Sequence, residues 1–320
     1  MEVLKMENNI RFDFIKSRKI WMAIYALIIV AGIVVFALFG ANLSIDFKGG
    51  ATFEYSFTGD IDLEKAEQIV EDALNKKVNV TESTGYTTNA KTLVVSLATD
   101  ESVSVEAQEN LETKLNETFK DNKIELSSSN SVSPSIASNF FLKCLVAVVL
   151  ASLLVILYVG IRFRKIGGIS AGIFALLALL LDCIMAFCVC IFFRLEIDSN
   201  FMSVILTTLG YSLNDTIVVY DRIRENTKLY PEMGLRDRIN LSINQSLGRT
   251  IKTTLATFLA IIAIVIVAEF FGLSTLRSFA IPMAVGILSG CVTSICLSSP
   301  LWYSWRKGAI ARQAKKQAAK

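Results

Sequence analysis

Apolar residues fall into six long blocks along this chain, and a polar segment from Asn42 to Asn139 separates the first block from the second. Ile20 to Gly40 carries no charged residue, and at 1.5 Å rise per residue a block of that length crosses a hydrocarbon core of roughly 30 Å. The blocks Phe140 to Ile161, Ile166 to Phe193, Phe201 to Tyr220, Thr253 to Phe271 and Phe279 to Trp305 predict five more spanning helices. The first block follows Lys16, Arg18 and Lys19 and is too long for the core of a cleaved signal peptide, so it reads as an anchor.

The polar segment has the periodicity of a folded domain. Ala51, Phe53, Tyr55 and Phe57 alternate as in a half-buried strand, whereas Leu63, Ala66, Ile69, Val70, Ala73 and Leu74 repeat at helical spacing. Val78 and Val80 open a second strand, and Leu93, Val95 and Leu97 alternate in a third after the turn-like Thr84-Gly85-Tyr86. Ala107, Leu111, Leu115 and Phe119 stripe a second helix, and Ile124 with Leu126 form a last strand. The order β-α-β-β-α-β predicts a small ferredoxin-like α+β unit. Ser127 to Ser138, with Pro134, then reads as a linker back to the membrane.

Charge decides which way the spans face. Lys and Arg collect on the cytoplasmic side of membrane helices. Arg11 to Lys19, then Arg162, Arg164 and Lys165, the segment Asp221 to Lys252 and the tail from Arg306 hold most of the basic residues outside the polar segment, whereas Arg194 and Arg277 stand alone in their loops. Both termini are therefore expected inside. The division is 1–19 cytoplasmic, 20–41 first span, 42–139 external, 140–305 the other spans with a cytoplasmic loop 221–252, and 306–320 a basic cytoplasmic tail. The external segment holds 8 basic and 17 acidic residues, most of which read as solvated surface.

Composition removes several chemistries. A net charge of +3 does not point to nucleic acid. The absence of His removes the usual general base and the commonest metal ligand. Cys144, Cys183, Cys188, Cys190, Cys291 and Cys296 all lie in apolar blocks and read as packing residues. No phosphate-binding glycine motif is present, so no nucleotide or other cofactor is expected and any work must be driven from elsewhere.

A carboxylate near the bilayer centre costs at least about 2.5 to 3.5 kcal/mol on insertion scales and is a functional candidate by default. Asp215 lies in the most polar span, on one helical face with Thr208 and Ser212 and next to Asn214; Asp182 interrupts the third span. Counting helical rise from the cytoplasmic ends puts Asp215 roughly 8 Å deep and Asp182 roughly 24 Å deep. Leu235, Ile239, Ile243 and Leu247 recur at i+4, so an amphipathic helix leads towards Arg249 and Thr253, themselves i and i+4, and could carry Arg249 to the depth of Asp215. Desolvation and a nearby cation act in opposite directions on an acid, so helix motion could switch its protonation. Gly168-xxx-Gly172 and Gly286-xxx-Gly290 are faces on which helices can pack closely.

Three stretches resemble the SecD/SecF family of bacterial preprotein-translocase components, in the resistance-nodulation-division superfamily. Ser44-Ile45-Asp46-Phe47-Lys48-Gly49-Gly50 resembles its Gly-Ile-Asp-Phe-x-Gly-Gly element; the run Gly210 to Asn226, with Asp215, Asp221 and Arg222, resembles its fourth-helix motif; and Asn244 to Thr250 resembles the element opening its fifth. The resemblance implies half of a superfamily-type bundle and a proton-coupling pair, Asp215 and Arg249, supported by Thr253. It implies work with a SecD-type half and the SecYEG channel on an unfolded preprotein within the lipid membrane, driven by the proton motive force after ATP-driven translocation has begun. Many family members have His-Asp where this chain has Leu181-Asp182, and Gly272 to Arg277 is less glycine-rich than the family pattern. Three other readings stay open: a proton-driven exporter of small molecules or lipids, an intramembrane aspartyl protease using Asp182 and Asp215, and an inert scaffold.

Overall fold

A computed structural model of the chain describes residues 12–74, 78–84, 91–97, 105–120, 122–271 and 273–318. Arg11, the Gly85-Tyr86 turn and Gly272 lie outside the described residues. Helix α1 spans Phe14–Phe39 and is followed by a single turn, α2, at Ile45–Lys48. The polar segment then gives β1 (Gly50–Phe57), α3 (Leu63–Leu74), β2 (Val78–Thr84), β3 (Lys91–Leu97), α4 (Val105–Thr118) and β4 (Glu125–Val132). Helices α5 (Pro134–Arg162), α6 (Gly168–Phe192), α7 (Ser199–Leu229), α8 (Leu235–Phe271) and α9 (Ser274–Thr293) follow. A π-helical turn at Ser294–Ser298 joins α9 to α10 (Ser299–Ala318). Six helices are long and apolar enough to cross a membrane, α9 and α10 counting as one.

The sheet order is β2-β3-β1-β4, with every neighbouring pair antiparallel, which is the ferredoxin-like arrangement that the element order predicts. Phe53, Tyr55, Leu93 and Val95 point to the face covered by α3 and α4, where they close a core with Val70, Leu111 and Leu115. The expected linker is corrected in part. Ser127 to Val132 belongs to β4, because its backbone pairs with β1 while its Ser and Asn side chains stay at a polar edge with no apolar alternation to reveal the strand. Pro134 opens α5 at a position whose amide needs no partner.

In the bundle, α1 and α5 turn long rows of Leu, Ile and Val outward, whereas α6 buries much of its length. The glycines set the closest approaches. A Cβ on Gly286 would lie 2.7 Å from Thr208 Oγ1, and one on Gly290 would lie 2.7 Å from Ser212 Cβ, so α9 lies against α7 along the face that carries those hydroxyls. Gly172 meets the Ile156 carbonyl of α5 at 3.1 Å in the same sense. Helix α8 is continuous, and its first turns are stitched to the chain's beginning. Asn240 donates to Asp13 and accepts from the Ile15 amide, and Asn244 exchanges two hydrogen bonds with the Phe12 backbone.

Candidate functional site

The site is built on α7, beginning at the end nearest the sheet. Ser44 caps the one-turn helix α2, and α2 brings Asp46 to the start of α7, where its Oδ2 accepts from the Ser199 amide at 3.0 Å. Asp198 caps the same helix through the Phe201 amide. Two carboxylates therefore sit at the positive end of the α7 dipole. Phe47 packs its ring 5.7 Å from that of Phe140 and 6.2 Å from that of Phe141, at the start of α5. Gly49 and Gly50 take φ of +77° and +137°, and a Cβ on Gly50 would stand 2.2 Å from the Leu97 carbonyl. Only glycine fits so close to β3 in that conformation. Asp46, Phe47, Gly49 and Gly50 thus form a joint tying the sheet domain to α5 and α7.

Beside this joint is a cavity of about 280 Å³ lined by Lys48, Thr81, Ser96 and Glu196 among others. Partial burial, then the carboxylates of Asp198, Asp46 and Glu54, push the Glu196 carboxyl above its ordinary value against the opposing pull of Lys48. A carboxyl raised in the folded state gives stability that is fully present below the unfolded value and is lost as pH rises through the folded one. Glu196→Gln is therefore expected to raise the unfolding midpoint more at about pH 8 than at about pH 5. A gap between variant and parent that is the same at both pH values would contradict this.

Asp215 is 1% exposed and accepts a hydrogen bond from Thr254 Oγ1 of α8 at 3.2 Å. The expected contact with Arg249 is not formed. Arg249 and Thr253 are both exposed on the outer side of α8, and Thr253 Oγ1 donates back to the Arg249 and Thr250 carbonyls. The phase of α8 turns Thr254, one residue later, towards the acid instead. Asn214 and Gly210 are exposed on α7, and a Cβ on Gly210 would meet nothing within 4 Å. Gly210, Asn214, Arg249 and Thr253 thus stand on the outside of the α7 and α8 pair.

Asp182 is fully buried and its two oxygens accept from Ser212 (2.6 Å), Ser289 (2.6 Å) and Thr293 (2.9 and 3.0 Å). Tyr25 of α1 extends the network through the Ser289 hydroxyl at 3.0 Å. The depths counted from helical rise are corrected here. Ser212 lies one turn before Asp215 on α7, so Asp182 and Asp215 are near neighbours. The count failed because α7 continues to Leu229 rather than ending at Tyr220, which places Asp215 in mid-helix. Both Asp182 oxygens are occupied by hydroxyl donors, so Asp182 shares no hydrogen bond with Asp215 of the kind that marks a carboxylate dyad.

Two motif residues work at the other end of α7. Asp221 pairs with Arg162 of α5 at 3.3 Å and with Arg224 at 2.7 Å, and Arg222 donates to Gln245 of α8 at 2.6 Å. They brace α7 between its neighbours, away from the acids. Sequence reasoning missed Tyr25, Thr254, Ser289 and Thr293. Ser289 and Thr293 are spaced i, i+4 within an apolar block, a signal that could have marked them as facing a polar partner. Below Ser212 the same seam continues with Thr216 against Ser294 at 2.8 Å and Tyr220 against Ser298 at 2.9 Å. The Thr250 hydroxyl, one turn before Thr254, is buried and without a hydrogen-bond partner among the described residues.

Comparison with known proteins agrees with this architecture. Residues 110–308 match the family model described as "Protein export membrane protein SecD/SecF, C-terminal", and residues 34–61 match "SecD/SecF GG Motif", which covers the joint. "Protein translocase subunit SecF" of Alicyclobacillus acidocaldarius is 30% identical over 306 residues, covering 95% of this chain and 96% of that protein. "Protein translocase subunit SecDF" of Bacillus subtilis is 32% identical over 97% of this chain, which spans 40% of that longer protein. The crystal structure of SecDF from Thermus thermophilus, described as a translocon-associated membrane protein, matches with a TM-score of 0.78 at 30% identity, over 93% of this chain and 39% of that one.

Proposed function

This chain belongs to the SecD/SecF family of protein-export membrane proteins, and on that premise we propose that it is the SecF-type half of a machine that uses the proton motive force to assist preprotein translocation. The observation that carries the reading is the construction of α7. The helix holds Asp215 at its middle, and at its outer end it is capped by Asp46 of the glycine joint. A tilt of α7 that follows protonation of Asp215 is passed by hydrogen bonds and packing to the domain at 42–139. A proton crossing 100 mV supplies about 2.3 kcal/mol, enough to bias a two-state movement and too little to unfold a stable domain, which suits handling a chain already unfolded.

In this reading Asp215 takes a proton from outside, and Arg249 pairs with it once the proton has left. The arrangement with Asp215 held by Thr254 and Arg249 apart from it is the released state of that cycle. Asp182, Asn214 and Thr253 complete the relay. The exposed stripe of Gly210, Asn214, Arg249 and Thr253 favours a SecD-type half packed against it, because an arginine and an amide facing lipid are costly unless protein covers them. Both termini are cytoplasmic, the sheet domain is extracytoplasmic, and the assembly meets the SecYEG channel and the emerging preprotein at the cytoplasmic membrane. Depleting the chain from its own cells is expected to slow export of a reporter preprotein, and re-expression to restore it. Unchanged export in depleted cells would overturn the reading.

A further inference from the structure

We propose that the concavity where α1, α8 and α10 meet, at the end of the bundle remote from the sheet, binds a phosphate anion such as an anionic phospholipid headgroup carries. The cavity is about 310 Å³ and is walled by Lys16, Arg18, Arg236 and Lys307, with Ile15 and Tyr303 among its apolar lining. The four cations come from three helices far apart in sequence. One of them is neutralised: Arg236 pairs with Asp13 at 2.5 Å. Asp13 keeps its negative charge because its hydrogen bonds with Asn240, the Lys16 amide and Arg236 outweigh burial, the larger single effect, and hold its carboxyl below the ordinary range. Lys16, Arg18 and Lys307 have no carboxylate partner among the described residues. One Arg18 nitrogen donates to the Ile15 carbonyl at 2.9 Å, which anchors the guanidinium, and its other N–H groups have no partner among the described residues.

The positive-inside tendency explains cations at this end of the bundle, but it does not explain their convergence on one hollow, where they repel each other unless an anion lies between them. Position favours a lipid as the source. Immediately beyond the cavity, Ile20 (63% exposed) and Met22 (46%) of α1 face outward as hydrocarbon-facing residues do, and on another face of α10 the half-exposed Trp305, its ring 6.3 Å from that of Phe174 of α6, is of the aromatic type that collects at headgroup level. Basic pockets between membrane helices at that level hold acidic headgroups. A free phosphate offers the same chemistry without the acyl chains.

The test measures the unfolding midpoint of the full chain in nonionic detergent after addition of phosphatidylglycerol, phosphatidylcholine or inorganic phosphate. Phosphatidylglycerol is expected to raise the midpoint by several degrees and phosphatidylcholine to leave it unchanged. A shift with phosphatidylglycerol alone identifies a lipid headgroup, and an equal shift with inorganic phosphate identifies a free anion. Combined Lys16→Gln, Arg18→Gln and Lys307→Gln should remove the shift, whereas combined Arg164→Gln, Lys165→Gln and Lys228→Gln, at the same end of the bundle but outside the cavity, should keep it. If the first variant does not fold, Lys307→Gln alone must weaken the shift. An undiminished shift in the cavity variants, an equal loss in the control, or no shift in the parent overturns the site. Binding is read without transport, so the result is independent of the function proposed above.

Discussion

Asp215→Asn is expected to reduce export of a reporter preprotein to the level of cells lacking the chain, with the chain still abundant and still co-purifying with its partner half. Asparagine keeps the size of the side chain and an oxygen that accepts from Thr254 Oγ1, now found at 3.2 Å. Keeping the hydrogen bond on an amide oxygen is expected to alter stability by only about 1 kcal/mol. The substitution removes the proton and the charge that answers Arg249, so it separates the chemistry of the acid from its packing. Thr254→Val is the companion measurement, because it leaves the carboxyl and takes away its contact. Normal export with Asn at this position would show that Asp215 only holds helices together, and the inert-scaffold reading would then stand.

Gly50→Ala is expected to cost on the order of 3 kcal/mol or more, combining a φ of +137° that L side chains rarely adopt with a collision between the new Cβ and backbone. The atom struck is the Leu97 carbonyl oxygen, 2.2 Å from the built Cβ, and Leu97 is held in register against Ala51 by the β1–β3 ladder. Neither strand can yield without giving up paired hydrogen bonds. Proteolysis should then open the joint between α2 and β1 while the helical bundle keeps its resistance. Gly210→Ala provides the contrast: nothing lies within 4 Å of its Cβ, so the isolated chain should unfold at an unchanged midpoint and any effect should require the partner half. An unchanged midpoint for Gly50→Ala would mean that the joint is not built as described.

The glycine joint also shows how far the chain's own letters reach. The motif was visible in Ser44 to Gly50, but its work was not, because the carbonyl that excludes a side chain at Gly50 belongs to a residue of another strand. The last strand shows the converse. Ile124 and Leu126 announced β4 only at its start; from Ser128 to Ser131 it is a polar edge held by backbone pairing with β1, so side-chain periodicity could not show how far it runs. Where one face was buried against helices, as with Phe53, Tyr55, Leu93 and Val95, alternation announced the strand and the ferredoxin-like order followed.

The same division runs through the candidate site. The six spans, the presence of two costly acids within them and the polar character of α7 are properties of the linear sequence, since a bilayer imposes its thickness on each helix separately. Which hydroxyl meets which acid is a property of helix phase and crossing. Thr254 rather than Thr253 reaches Asp215 because adjacent residues on a helix point in directions about 100° apart. Asp182 finds Ser212, Ser289 and Thr293 only because the glycines of α9 let it lie against α7, bringing together residues 30, 107 and 111 positions from the acid. Local periodicity carries no record of contacts made at that separation, so the tertiary structure alone decided them.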